Sequence, residues 1–424
     1  MSNKSTILWL FNLLFDILIL MISLTGFGYM ILDKYQIPMT ILLIMCLFIL
    51  SYISKDFSWG KIVCNEKILF FLFTLLIIIS ISWSYDADLT KKYAIYFGLY
   101  TILLSFDFSE NKYIHIVSLI KKIAIFDAIT VLLSLVIGGS YLNIFGFLYR
   151  DTNGVWRMLS QGLGTGITGV SSYAAFIINI GLGFYISKIF VIRKLKRKDV
   201  VSAIICTLGI LATGKRTVLI GVVLVTFIMA LLSVDKKRFI TLLKYGIAVL
   251  VVLILSVIFI PKVQVMFTRL ADAMGDTDLN NRRVFWENGL LLFLKNPIKG
   301  CGFGSYSSFD KYEGTGYGYS AHNIYLETLA ELGIIGIILL LILFTCVLYK
   351  AMRLLRSKKS ISSQSLSICS HFVFYGILSY LFYGLMETPM YSFSLEFIFV
   401  ILLCIMSSIY NRNSKTKKIR FVLK

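Results

Sequence analysis

Proline, histidine and acidic residues are scarce in this sequence, and each shortage excludes something. Four prolines in 424 residues leave long stretches with nothing to interrupt a helix. Three histidines and seven cysteines occur, with no Cys-x-x-Cys pair and no His/Cys ligand spacing, so no protein-held metal site is expected. Cys46, Cys206, Cys346, Cys369 and Cys404 fall in apolar runs and Cys64 in a short basic loop. Cys301 stands alone in a long polar segment, without a disulfide partner there. No internal repeat is visible.

What fills the chain instead is apolar: 58% of residues are hydrophobic and the mean hydropathy is +0.83. A soluble domain has nowhere to bury that much. Several blocks reach the ~20 residues that a helix needs to cross the hydrocarbon of a bilayer. The expected fold is all-α, a polytopic membrane bundle of about twelve spans. They are read at 9–32, 36–53, 68–85, 93–108, 120–139, 168–187, 200–214, 217–233, 240–261, 332–349, 366–387 and 391–410. The first block is long and lacks a small-residue cleavage pattern, so it reads as a retained span rather than a signal peptide.

The net charge of +20 does not call for nucleic acid. Lysine and arginine gather in short loops between spans, the positive-inside pattern. With both termini cytoplasmic, the inner side holds "RKLKRK", "DKKR", "KAMRLLRSKK" and the basic tail. Roughly two thirds of the 42 lysines and arginines then lie inside. The chain divides into N-terminal spans at 1–199, a region 200–410 that carries an outer loop at 262–331, and a tail at 411–424.

Two outer segments are too long to be turns. Residues 140–167 carry Arg150 and Arg157 beside an acidic and aromatic stretch. In the second, "RRVFWENGLLLFLKNP" reads as an amphipathic surface helix stopped at Asn296-Pro297. A Gly-, Ser- and Tyr-rich loop follows, whose Tyr306, Tyr312, Tyr317 and Tyr319 suit either sugar faces or interfacial anchoring. Of the histidines, His115 falls inside and His371 within the eleventh span, where it reads as packed or hydrogen-bonded. His322 alone reaches the outer face, where it suits a capping role as readily as chemistry.

Asn323, Glu327 and Glu331 form a polar line on the next helix. It can face a substrate, or it can be solvated first-turn acids suited to the helix dipole. Glu327 cannot orient His322 unless the helix starts after that histidine. Arg216, in "ATGKRTVLIG", sits at a polar break where a guanidinium needs a partner or an interface. Arg282 and Arg283 repel each other and call for an anion, with Asp276 and Asp278 as local partners. Arginine forks at a membrane surface suit a polyprenyl diphosphate, whose charge lies at headgroup depth and whose tail lies in lipid.

Three pieces carry a resemblance. "TGKRTVLIGVVL", "RRVFWENGLLLFLKNPIKGCGFGSY" and "AHNIYLETLAELGIIG" resemble, in that order, elements of the O-antigen ligase and Wzy-type polysaccharide polymerase superfamily. The resemblance implies a bundle like the membrane-embedded GT-C glycosyltransferases. It implies glycan transfer from undecaprenyl diphosphate outside the cytoplasmic membrane, without metal, nucleotide or other cofactor. It places Arg216 and Arg282 on the diphosphate and makes His322 the general base. Asn323 and Glu327 would support the site. The motif does not fix Arg283, which could substitute for Arg282 or assist it, and it assigns no role to Arg150 or Arg157. The acceptor is another lipid-linked repeat in a polymerase and lipid A core in a ligase. Whether a flippase and a chain-length regulator take part stays open. A flippase or transporter would want symmetric halves and charges along the bundle axis. Here the polar groups concentrate on one face.

Overall fold

The structure is a computed structural model and describes residues 3–25, 30–59, 65–192, 195–234, 240, 277–314, 316, 318–356 and 363–422. Helices α1 (Asn3–Leu24), α2 (Gln36–Ile53), α3 (Asn65–Ser80), α4 (Ala87–Leu104) and α5 (Glu110–Ile137) run back and forth. Two short helices follow, α6 (Ser140–Phe145) and α7 (Thr152–Ser160), and then α8 (Ser171–Ile192), α9 (Arg197–Ala212) and α10 (Arg216–Ser233). After the residues left undescribed come α11 (Thr277–Lys295), the short α12 (Tyr306–Tyr312), α13 (Ile324–Arg356), α14 (Gln364–Tyr383) and α15 (Phe393–Val422).

The all-α membrane bundle is as expected, but the count of twelve spans is not confirmed. Among the described residues eight helices are long and apolar enough to cross a bilayer: α1, α2, α3, α8, α10, α13, α14 and α15. Three more expected spans are helical but fall short. Helix α4 carries Asp88, Lys91 and Lys92, α5 carries Lys121, Lys122 and Asp127 in its apolar half, and α9 has only 16 residues. The expected span 240–261 lies outside the described residues apart from Ile240.

Helix α8 packs against α5, α9 and α14 at the centre, and the apolar stretch of α15 within Phe393–Arg412 is almost wholly enclosed. The bundle has two unlike ends. At one, β1 (Phe57–Trp59) and β2 (Phe106–Phe108) form an antiparallel pair that links α2–α3 to α4–α5. That end gathers buried ion pairs, Lys67–Asp107 at 3.0 Å, Lys188–Asp199 at 2.6 Å, and Lys350 with Glu66. The start of α1 lies there, where Lys112 Nζ donates to Asn12 Oδ1 at 2.9 Å. So does the later part of α15, where Ser408 Oγ accepts from Phe108 N at 2.8 Å.

The opposite end is roofed by residues 277–323. Helix α11 stops at Lys295, ahead of Asn296-Pro297, as the sequence predicts. The glycine-rich turn after it is pinned from below. Phe303 is fully buried among Phe73, Tyr93, Phe97 and Tyr391. Ser305 Oγ hydrogen-bonds Ser84 Oγ at 2.7 Å. Beside this turn α13 breaks at Gly333, whose φ of 63° and ψ of −161° are open only to glycine. A Cβ there would lie 2.3 Å from the Ile298 carbonyl. The break frees backbone groups for the turn: Gly302 N donates to Glu331 O at 2.8 Å, and Ile334 N to Pro297 O at 2.9 Å.

Candidate active site

The start of α13 shows how the sequence sets up the site. Asn323 Oδ1 accepts from Tyr325 N at 3.0 Å and Leu326 N at 3.1 Å, so it is the cap that opens the helix. The residue before the cap, His322, takes φ 50°, the only positive φ on a non-glycine among the described residues. Such backbone strain persists where the surroundings over-determine it. Here Trp286 of α11 holds the preceding residue, donating Nε1 to Ala321 O at 3.1 Å, and Ile324 N donates to Gly384 O at 2.9 Å.

The helix does start after His322, yet Glu327 does not orient the imidazole. Its Oε2 accepts from Ala321 N at 3.0 Å instead. Glu331 accepts from Gly304 N at 2.7 Å, Tyr306 N at 2.8 Å and the Tyr391 hydroxyl at 2.6 Å. Both carboxylates are buried, which overturns the reading of solvated first-turn acids. They hold the roof to the bundle.

The group that orients His322 comes from the turn after α14. Glu387 Oε2 lies 3.2 Å from His322 Nδ1, and Oε1 lies 3.9 Å from Arg282. Burial pushes the Glu387 carboxyl up. The His322 hydrogen bond and the Lys215 and Arg282 charges outweigh that and hold it below its ordinary value. Glu387 is therefore an anion that can only accept, so the proton between the two groups sits on Nδ1 and Nε2 is left pointing away from the carboxylate. Arg282 also donates to the Met386 carbonyl at 2.9 Å.

His322, Glu327 and Glu387 line a cavity of about 540 Å³ at the roofed end. Tyr93, Tyr173, Tyr319, Tyr383 and Tyr391 form much of its wall, with Asp151 at the edge. His322 keeps 34% of its side chain accessible, enough to meet a ligand. Carboxylates accept from sugar hydroxyls, and aromatic faces pack on sugar rings.

A comparison by sequence covers part of this constellation. Residues 201–341 match the family Wzy_C, O-antigen ligase. No curated protein matches the chain. The matched O-antigen ligase region contains His322, Asn323 and Glu327, together with Arg216 and both arginines of α11. Glu387, Tyr93 and Asp151 lie outside it.

The expected arginines separate. Arg282 reaches the imidazole's partner. Arg283 is exposed and pairs instead with Glu287 at 2.8 Å, one turn on, so it does not assist Arg282 here. Asp276 lies outside the described residues, and so does the side chain of Asp278. Arg216, half-buried at the first position of α10, does not line the cavity, although its neighbour Lys215 acts on Glu387. Arg157 is exposed on α7, away from the cavity, and Arg150 lines a second cavity. His371 Nδ1 is tied to Ser367 O at 2.8 Å, and His115 pairs with Asp16 at the hairpin end. Tyr306 is buried and donates to Phe285 O at 2.6 Å, so of the loop tyrosines Tyr319 faces the cavity, and Tyr317 lies outside the described residues.

Glu387 is the residue that sequence reading missed. The eleventh span is read through residue 387, whereas α14 ends at Tyr383. Its signal is the acid in "GLMETPMYS", a polar interruption between two spans on the face that also carries His322.

Proposed function

We propose that this chain is a polysaccharide polymerase of a capsule, exopolysaccharide or O-antigen. It transfers a glycan from undecaprenyl diphosphate to a sugar hydroxyl of another lipid-linked repeat, at the outer face of the cytoplasmic membrane. The observation that carries this reading is the His322–Glu387 pair, 3.2 Å apart, in a tyrosine-walled cavity with Arg282 behind it. The acceptor hydroxyl gives its proton to His322 Nε2 as its oxygen bonds the anomeric carbon. The bond from that carbon to the diphosphate breaks, and the diphosphate leaves with the electron pair. Glu387 keeps the imidazole in the accepting tautomer and stabilises the imidazolium that forms. Arg282, with Arg216 at the mouth of α10, neutralises the leaving diphosphate. The reaction uses no cofactor.

The test is chain growth on lipid-linked repeats in membranes carrying single substitutions. His322→Ala is expected to lower elongation by about 10²–10⁴-fold at normal protein levels, the usual worth of a general base. His371→Ala, whose imidazole is tied to its own helix, is expected to keep long chains. Long chains from His322→Ala overturn the base assignment. The matched family is described as an O-antigen ligase, which keeps a second reading, transfer of the glycan to lipid A core. A product of unchanged length on a new acceptor identifies that case.

A further inference from the structure

A second and larger cavity, of about 920 Å³, lies at the same end of the bundle. It shares two residues with the first, Tyr93 and Tyr391, whose rings meet edge to face at 5.6 Å. The two spaces therefore abut one aromatic wall. Their charges are opposite. The ionisable lining of the first consists of Asp151, Glu327 and Glu387 with His322. That of the second consists of Lys34, Lys92 and Arg150 against Asp33.

These cations differ from those of the hairpin end, where lysines are paired with buried acids. Lys34 rests over the Tyr35 ring at 4.9 Å and Lys92 over the Tyr96 ring at 5.7 Å. Among the described residues, none of the three forms an ion pair. The one carboxylate present is engaged by the backbone, with Asp33 Oδ2 accepting from Met30 N at 3.0 Å, and it attracts Lys92 without a direct contact. The rest of the lining is largely apolar, including Ile31, Ile37 and Phe393. A site with two net positive charges and greasy walls suits an anion carried on a hydrocarbon tail. It does not suit a neutral sugar.

We propose that this second cavity is the site of the other lipid carrier, with Lys34, Lys92 and Arg150 holding the diphosphate of the acceptor substrate. The inference rests on the polymerase reading, in which two polyprenyl diphosphates must be present at once. The Tyr93–Tyr391 wall then sets the separation between the acceptor's anchored end and His322, and the acceptor's sugars cross it to reach the acidic cavity. The acceptor carrier's charge then stays outside the space lined by Asp151 and Glu387, where it would be repelled.

The experiment counts lipids on the full-length protein by native mass spectrometry, with undecaprenyl diphosphate as the probe and phosphatidylglycerol as competitor. Wild type is expected to hold two copies that survive a tenfold excess of phosphatidylglycerol. The triple variant Lys34→Gln, Lys92→Gln, Arg150→Gln is expected to hold one, and Arg282→Gln added to it none. Should the triple variant fail to fold, Lys92→Gln alone is expected to weaken the second copy by about tenfold, the loss of one charge-assisted contact. A single copy on wild type, two copies on the triple variant, an unweakened second copy on Lys92→Gln, or displacement by phosphatidylglycerol each overturn the second site while leaving the glycan-transfer reading standing. No copy on wild type overturns both.

Discussion

Glu387 determines what His322 can do. A lone imidazole on a strained backbone is chemically ambiguous, and a carboxylate at 3.2 Å from Nδ1 removes the ambiguity. Its pH dependence has a definite sign. The folded protein holds this carboxyl below its ordinary value, so its stabilising contribution is complete above about pH 4.3 and fades as pH falls through the lowered value. Glu387→Gln is expected to lower the unfolding temperature at neutral pH, and the gap to wild type is expected to close on acidification. Thermal unfolding of the detergent-purified protein from about pH 3 to pH 7 measures it. A gap that widens in acid contradicts the assignment. The histidine was legible in the sequence because it is the only one that the loop-charge map assigns to the outer face. Its partner was not, because hydropathy places Glu387 at the edge of a span and 65 residues of chain separate it from His322. Nothing in local spacing links the two.

Among the elements, the break in α13 organises the roof. The stripe Asn323, Glu327, Glu331 was legible as polar positions on one face, but not its purpose. Acids on a helix normally favour water, and only the loop's return to the bundle shows that both glutamates accept from buried backbone amides. Gly333 makes that return possible. Gly333→Ala would put a Cβ into the Ile298 carbonyl at a backbone conformation that other residues rarely adopt. A loss of at least about 1–3 kcal/mol in stability is expected, the ordinary cost of such a conformation in a non-glycine residue. Limited proteolysis is expected to cut first between residues 297 and 320. Wild-type resistance there would show that the roof does not depend on the break. The short polar helices were harder to foresee. Helix α12 has seven residues, too few for a periodic pattern to stand out.

For the molecule as a whole, the two ends of the bundle read as two faces of a membrane. Paired lysines and the strand pair occupy one end, and the tyrosine-walled cavities the other. The charge bias in the loops is what assigns a side to each end, since a few residues per loop suffice to set orientation. The count of spans is not confirmed because α4 and α5 carry charges along helices read as spans: Asp88, Lys91 and Lys92 are exposed on α4, and Asp127 is buried on α5. A membrane-impermeant maleimide on whole cells is expected to label Tyr319→Cys and to reach Lys196→Cys only after permeabilisation. The reverse pattern would put the chemistry on the cytoplasmic side and end the proposal.

The imidazole and its cap come from the region that matches the O-antigen ligase family, but the carboxylate that meets the imidazole, the shared tyrosines and Asp151 come from chain before and after it. That region is therefore not a transplantable cassette. Exchanging it between two such proteins would move the imidazole and leave behind the carboxylate and the tyrosines that surround it.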